Sequence, residues 1–137
     1  MKTFAKKIAL AALAVVFSVS LQAAPAVIVN ADNPDAVDTD ALTAYLIGKR
    51  KFWESGSEVT IAVLKDNADS TAALEQYTKM NDSRFKSHWQ RLAFSGRGTM
   101  PKQFSDPAAL VAFVKVNKGA IGLLDTSTDL SSVKKVN

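Results

Sequence analysis

Between Glu58 and Met80 the residue pattern changes period within a few positions. Val59, Ile61, Val63 and Leu64 form an apolar, β-branched run of strand length. Lys65-Asp66-Asn67-Ala68-Asp69 breaks it with polar, turn-forming residues, and Ser70-Thr71-Ala72-Ala73-Leu74-Glu75-Gln76-Tyr77 continues with helix-forming composition. A strand, a short polar loop and a helix start make a candidate anion site. The N–H groups of the first helical turn and the positive end of the helix dipole both face the loop. Lys65, Ser70 and Thr71 are the side chains that this stretch offers to a ligand.

The flanking segments alternate in the same way. Ala26-Val27-Ile28-Val29-Asn30-Ala31 reads as a buried strand, closed by Asp32-Asn33-Pro34-Asp35. Asp38 or Thr39 caps a helix whose stripe is Leu42, Tyr45 and Leu46, and Gly48 ends it. After the central unit, Asn81-Asp82-Ser83 restarts a helix with Phe85, Trp89, Leu92 and Ala93 on one face. Asp106-Pro107 opens a last helix carrying Leu110, Phe113 and Val114, and Ala120-Ile121-Gly122-Leu123-Leu124 is a further buried strand. Val133 and Val136 suffice for one edge strand in the tail. The order β, α, β, α, α, α, β and an edge β predicts an α/β layered domain: a small central sheet with helices on both faces.

The first residues stand apart. Lys2, Lys6 and Lys7 precede the apolar run Ile8–Phe17, and small residues Ala23 and Ala24 follow. This is the pattern of a secretory signal peptide over residues 1–23, leaving a domain over 24–137 and a periplasmic location. The run is too short for a spanning helix, so no membrane anchor is expected in the mature form. Of the 17 Lys+Arg, three belong to this segment, which leaves 14 against 13 Asp+Glu, a net of +1. That balance gives a general nucleic-acid role no support. An exported chain with no Cys has no disulfides, so its core carries the fold.

Two further stretches invite a functional reading. Lys49-Arg50-Lys51-Phe52-Trp53 sets three cations beside two aromatics; a solvated turn with Phe52 and Trp53 folded onto the core is the favoured reading. Phe94-Ser95-Gly96-Arg97-Gly98-Thr99-Met100-Pro101 is either an anion-binding nest of inward amides with Arg97 reaching over it, or a plain turn between helices with Arg97 in solvent. His88 is the one histidine and has no second His or Cys beside it, so no metal site and no cofactor are expected. No nucleophile, base and orienting group occur together, and no enzyme activity is expected.

Several of these segments together resemble one family. Leu46-Ile47-Gly48-Lys49 through Trp53 resembles the G-K-x-x-x-W segment of phosphate-binding proteins of ABC transporters. Val59–Thr71 is similar to that family's next strand and phosphate loop, and Lys118-Gly119-Ala120-Ile121-Gly122-Leu123 to its P-G-A-I-G-Y strand. Phe94-Ser95-Gly96-Arg97-Gly98 is similar to a pattern in short, single-lobe relatives. The resemblance implies a single lobe of a type 2 periplasmic-binding-protein-like fold. It also implies an exported solute-binding function for phosphate or a similar oxyanion, with Lys65, Ser70, Thr71 and Arg97 lining a half-site. The implied partners are an ABC transporter permease or periplasmic sensor, and a second copy of the chain as the missing wall. A ligand-silent interaction module derived from that family is the alternative.

The match departs from the family's loop, roughly R-x-D-G-S-G-T, at most positions. Lys65 stands for the Arg, Asn67 for the Asp, Ala68 and Ser70 for the two Gly and Asp69 for the Ser; Thr71 alone is kept. Asp69 either faces the anion, at a cost on the order of 1 kcal/mol in water, or caps the next helix.

Overall fold

The apolar runs become the middle of one sheet. In the computed structural model, which describes residues 25–126 and 128–136, the chain forms β1 (Pro25–Val29), α1 (Thr39–Leu46), β2 (Thr60–Leu64), α2 (Ala68–Thr78), α3 (Asp82–Phe94), β3 (Lys102–Phe104), α4 (Pro107–Val116), β4 (Ala120–Asp125) and β5 (Lys134–Lys135). The expected signal peptide, residues 1–23, lies outside the described residues. The strand order is β3-β2-β4-β1-β5. β2 runs parallel to both β3 and β4, and β1 runs antiparallel to β4 and β5.

Strand alternation builds two cores. Val27, Val29, Ile61, Val63, Ile121 and Leu123 point to one face, where α1, α2 and α3 lay down Leu42, Tyr45, Leu74, Tyr77, Phe85 and Trp89. Ala26, Ile28, Ala62, Leu64, Ala120 and Leu124 point to the other, against Leu110, Val111 and Val114 of α4. Burying each such Leu, Ile or Val contributes about 1.5–3 kcal/mol. β4 is buried along its whole length, which is why its sequence is apolar on both faces. Gly122 keeps α4 close, since a Cβ there would stand 2.7 Å from Leu110 Cδ2 and 2.8 Å from Ile28 Cγ1.

Helix covers on both faces and the terminal edge strand agree with the sequence-based expectation. Three details differ. β3 has no counterpart in the apolar pattern of the sequence: it is three residues long, and Lys102 and Gln103 are exposed, so it carries no apolar alternation. Both outer strands are short and bear lysine, which discourages pairing with another chain. α2 begins at Ala68, two residues early, and its cap is Asn67, whose Oδ1 accepts from Ser70 N–H at 2.9 Å; Asp69 lies in the first turn instead. Finally, only Trp53 folds onto the core; Phe52 remains 59% exposed. The two alternate on a short ladder in which Phe52 bridges Glu58, so opposite sides of the chain face opposite ways.

Candidate functional site

The parallel strands end together. Lys65 follows β2, Ser105 follows β3 and Thr126 follows β4, and this end of the sheet also receives the first turns of α2 and α4. Lys65 N–H donates to Phe104 O at 2.8 Å, which ties the loop after β2 to the end of β3. Asp66 then turns the chain with φ +53, a left-handed conformation that Asp tolerates better than most residues. Asn67 caps α2 directly behind it.

The four expected ligand residues have different fates. Lys65 is exposed beside the loop, and Thr71 is half-buried in the first turn of α2. Ser70 is 1% exposed, and its hydroxyl is engaged twice: Leu64 N–H donates to it at 3.2 Å, and it donates to Leu123 O at 2.9 Å. Its role is to bolt α2 to β2 and β4, and its side chain is not presented to a ligand. Its N–H is held by Asn67, and Thr71 N–H by Asn67 O. Among the described residues, that leaves the N–H groups of Ala68 and Asp69 as the open donors of the first turn.

Arg97 is not brought to this loop. It lies ahead of β3, whereas Lys65 lies after β2, and the two strands are parallel. The neighbouring Gly98 borders Val59, at the start of β2. Six residues of strand separate Val59 from Lys65, about 20 Å. The loop is not a nest either. Ser95, Gly96 and Arg97 N–H donate back to Arg91, Ala93 and Leu92 carbonyls at 3.1, 3.1 and 2.8 Å. Gly96, at φ +70, makes that helix closure possible. The plain-turn reading holds, with Arg97 exposed.

The electrostatics of the loop end are mixed. Beside Lys65, this end of the sheet carries Asp66 and Asp69 in the same loop, Asp106 at the start of α4 and the buried Asp125 at the end of β4. Among the described residues no group of three His, Asp or Glu is placed to hold a metal ion. His88 is engaged structurally: its Nε2 lies 2.7 Å from Ile47 O, and because a carbonyl only accepts, that nitrogen carries the proton. Trp89 Nε1 donates to Leu46 O at 3.0 Å, so α3 closes the C-terminus of α1 with two rings. Sequence reasoning saw the apolar face of α3 but not this role of its polar atoms.

No family model and no curated protein sequence matches the chain. Solved structures do. The chain is similar to an ABC-type phosphate transport receptor from Vibrio cholerae, with a TM-score of 0.55, 13% identity and coverage of 84% of this chain and 46% of that one. It is also similar to a Clostridium perfringens protein designated a phosphate ABC transporter substrate-binding protein and holding bound phosphate (TM-score 0.62, 16% identity, 84% and 44%). A third is PstS from Borrelia burgdorferi (TM-score 0.59, 10% identity, 84% and 47%). At these identities the likeness establishes the fold: the described domain has the α/β architecture of one lobe of such proteins. The chain spans about half the length of the structures it matches. No described helix is long and apolar enough to cross a membrane.

Proposed function

We propose that this chain is an exported, lobe-sized solute-binding protein that holds phosphate or a similar oxyanion on the first turn of α2. The observation that carries this reading is the pair of open N–H groups on Ala68 and Asp69. They stand at the C-terminal end of parallel strands, with Lys65 exposed beside them and the Thr71 hydroxyl one position beyond the capped Ser70. Ser70 contributes by positioning α2. Arg97 has no part in the site. The likeness to receptors that include one with bound phosphate supports the same ligand class.

A single lobe offers one wall, and one lysine with two amides gives an affinity of about millimolar, near −4 kcal/mol. A second wall from another copy, a transporter permease or a periplasmic sensor would tighten it. Export rests on the residue pattern of positions 1–23. The function is non-catalytic; the one imidazole is engaged with Ile47 O. Calorimetric titration of the mature protein with phosphate, with its mass in solution followed in parallel, tests this. Weak heat that Lys65→Ala abolishes is expected, and no heat at millimolar phosphate ends the oxyanion reading.

One observation favours the alternative, a ligand-silent interaction module. The corner that a ligand would fill is occupied by the chain's own groups, the Ser70 hydroxyl and the Asn67 carboxamide. Silent calorimetry together with a partner that co-purifies stoichiometrically selects it.

A further inference from the structure

The two cation-bearing stretches left out of the α2 site meet at the opposite end of the sheet. Lys49–Lys51 and Gly98–Thr99 close on the ring of Trp89. A Cβ on Gly48 would stand 3.2 Å from Trp89 Cη2, and one on Gly98 would stand 2.9 Å from Trp89 Cζ3. Between them lies a crevice of about 30 Å³ lined by Tyr45, Arg50, Lys51, Glu58, Trp89 and Thr99, among others. Tyr45 is 2% exposed, and its hydroxyl makes no hydrogen bond to another of the described residues. The Arg50 guanidinium carbon sits 5.5 Å from the centre of the Tyr45 ring, and its link to Glu54 is a long, exposed 4.0 Å. Among the described residues, the N–H groups of Gly98 and Thr99 are not engaged elsewhere.

Next to the crevice the surface turns apolar. Met100, adjacent to Thr99, joins Gln90, Ala93 and Phe94 around a shallow hollow of about 340 Å³. Phe94 is 92% exposed, and Phe52, adjacent to Lys51, is 59% exposed. Single exposed aromatics need no explanation. A hollow rimmed by Phe94 and Met100, one residue along the chain from the crevice at Thr99, has the composition of a protein-binding surface, where aromatics, Met and Arg are enriched.

We propose that this end of the sheet is a docking surface for an acidic partner protein. It takes a segment in which a carboxylate is followed closely by a large apolar side chain. The carboxylate enters the crevice between Arg50, Lys51, Thr99 and the Tyr45 hydroxyl, and the apolar group covers the hollow at Phe94. The sign of the crevice's charges selects the occupant. Glu58 in its wall opposes a dianion more than a monoanion. Arg50 and Lys51 outnumber Glu58 in the crevice wall, on a domain that is almost neutral, and so short a run of cations suits an acidic protein better than the long basic tracks of nucleic-acid binders. The surface is independent of the oxyanion reading, because it lies at the other end of β2, and phosphate calorimetry leaves it untouched.

The test is NMR titration of the mature protein with an acetylated peptide of two glutamates followed by leucine and phenylalanine. Saturable amide shifts confined to Arg50, Lys51, Phe94 and Thr99 and their neighbours are expected, with affinity falling by about tenfold as the salt is raised through the physiological range. Arg50→Glu combined with Lys51→Glu should weaken binding by about tenfold or more. Both residues are exposed; should that variant unfold, Phe94→Ser reads the apolar half separately. Equal binding of a peptide with lysines in place of the glutamates overturns the proposal, as does the absence of shifts at millimolar peptide. Tighter binding of a short oligodeoxynucleotide or of phosphatidylglycerol vesicles at the same residues overturns it in favour of those ligands. Salt-sensitive self-association through the same residues overturns it in favour of a second copy.

Discussion

Ser70 shows how a residue's chemistry depends on the side from which it is approached. In the sequence its hydroxyl sits where a loop meets a helix, the place for an anion contact. In the fold that hydroxyl faces inward and joins Leu64 N–H to Leu123 O. Ser70→Ala should therefore destabilise the protein by about 1–3 kcal/mol in urea unfolding, the cost of losing buried hydrogen bonds. Its effect on phosphate heat should be small beside that of Lys65→Ala. Tyr45 carries a pH signature. Burial pushes its phenol above the ordinary range, with Arg50 pulling it part of the way back. A phenol that holds its proton more tightly folded than unfolded contributes stability that is complete below about pH 10 and is lost as the pH climbs through the folded value. Wild type should lose more unfolding free energy than Tyr45→Phe between pH 9 and 11, and the two should be nearly equal at pH 7.

At the scale of elements, most of the chain was legible from periodicity. The runs that became β1, β2 and β4 are apolar because both faces are covered, and the stripes of α1, α3 and α4 match the cores they entered. What periodicity does not carry is governed by hydrogen bonds rather than burial. β3 pairs with β2 through its backbone while its side chains stay exposed. The start of α2 is set by Asn67 because an Asn side chain reaches the third N–H of the turn as well as Asp does. Asn67→Ala should cost about 1 kcal/mol. At the other end of the same helix Lys79 takes a left-handed φ of +59. Glycine meets no steric penalty there, and Lys79→Gly should raise stability by about 0.5–1 kcal/mol, read as a higher urea midpoint with an unchanged slope.

At the scale of the whole molecule, charge is sorted along the sheet. Asp66, Asp69, Asp106 and Asp125 gather where the parallel strands end, and Lys49, Arg50, Lys51 and Arg97 where they begin. A dimer closing over the α2 loop would set the first group against its own copy. Sedimentation should find monomer at low salt, with a dimer fraction that grows as salt screens the carboxylates or when Asp66→Asn is combined with Asp69→Asn. The sequence alone determined the layering, because strand and helix periods are written in which residues are apolar, and burial enforces them. It also marked the loop before α2, on which the proposed site is built. Only the tertiary structure decided which groups in that loop are open and that Arg97 belongs to the opposite end. A hydroxyl's partners and a strand's direction depend on residues dozens of positions away, and no local pattern records them.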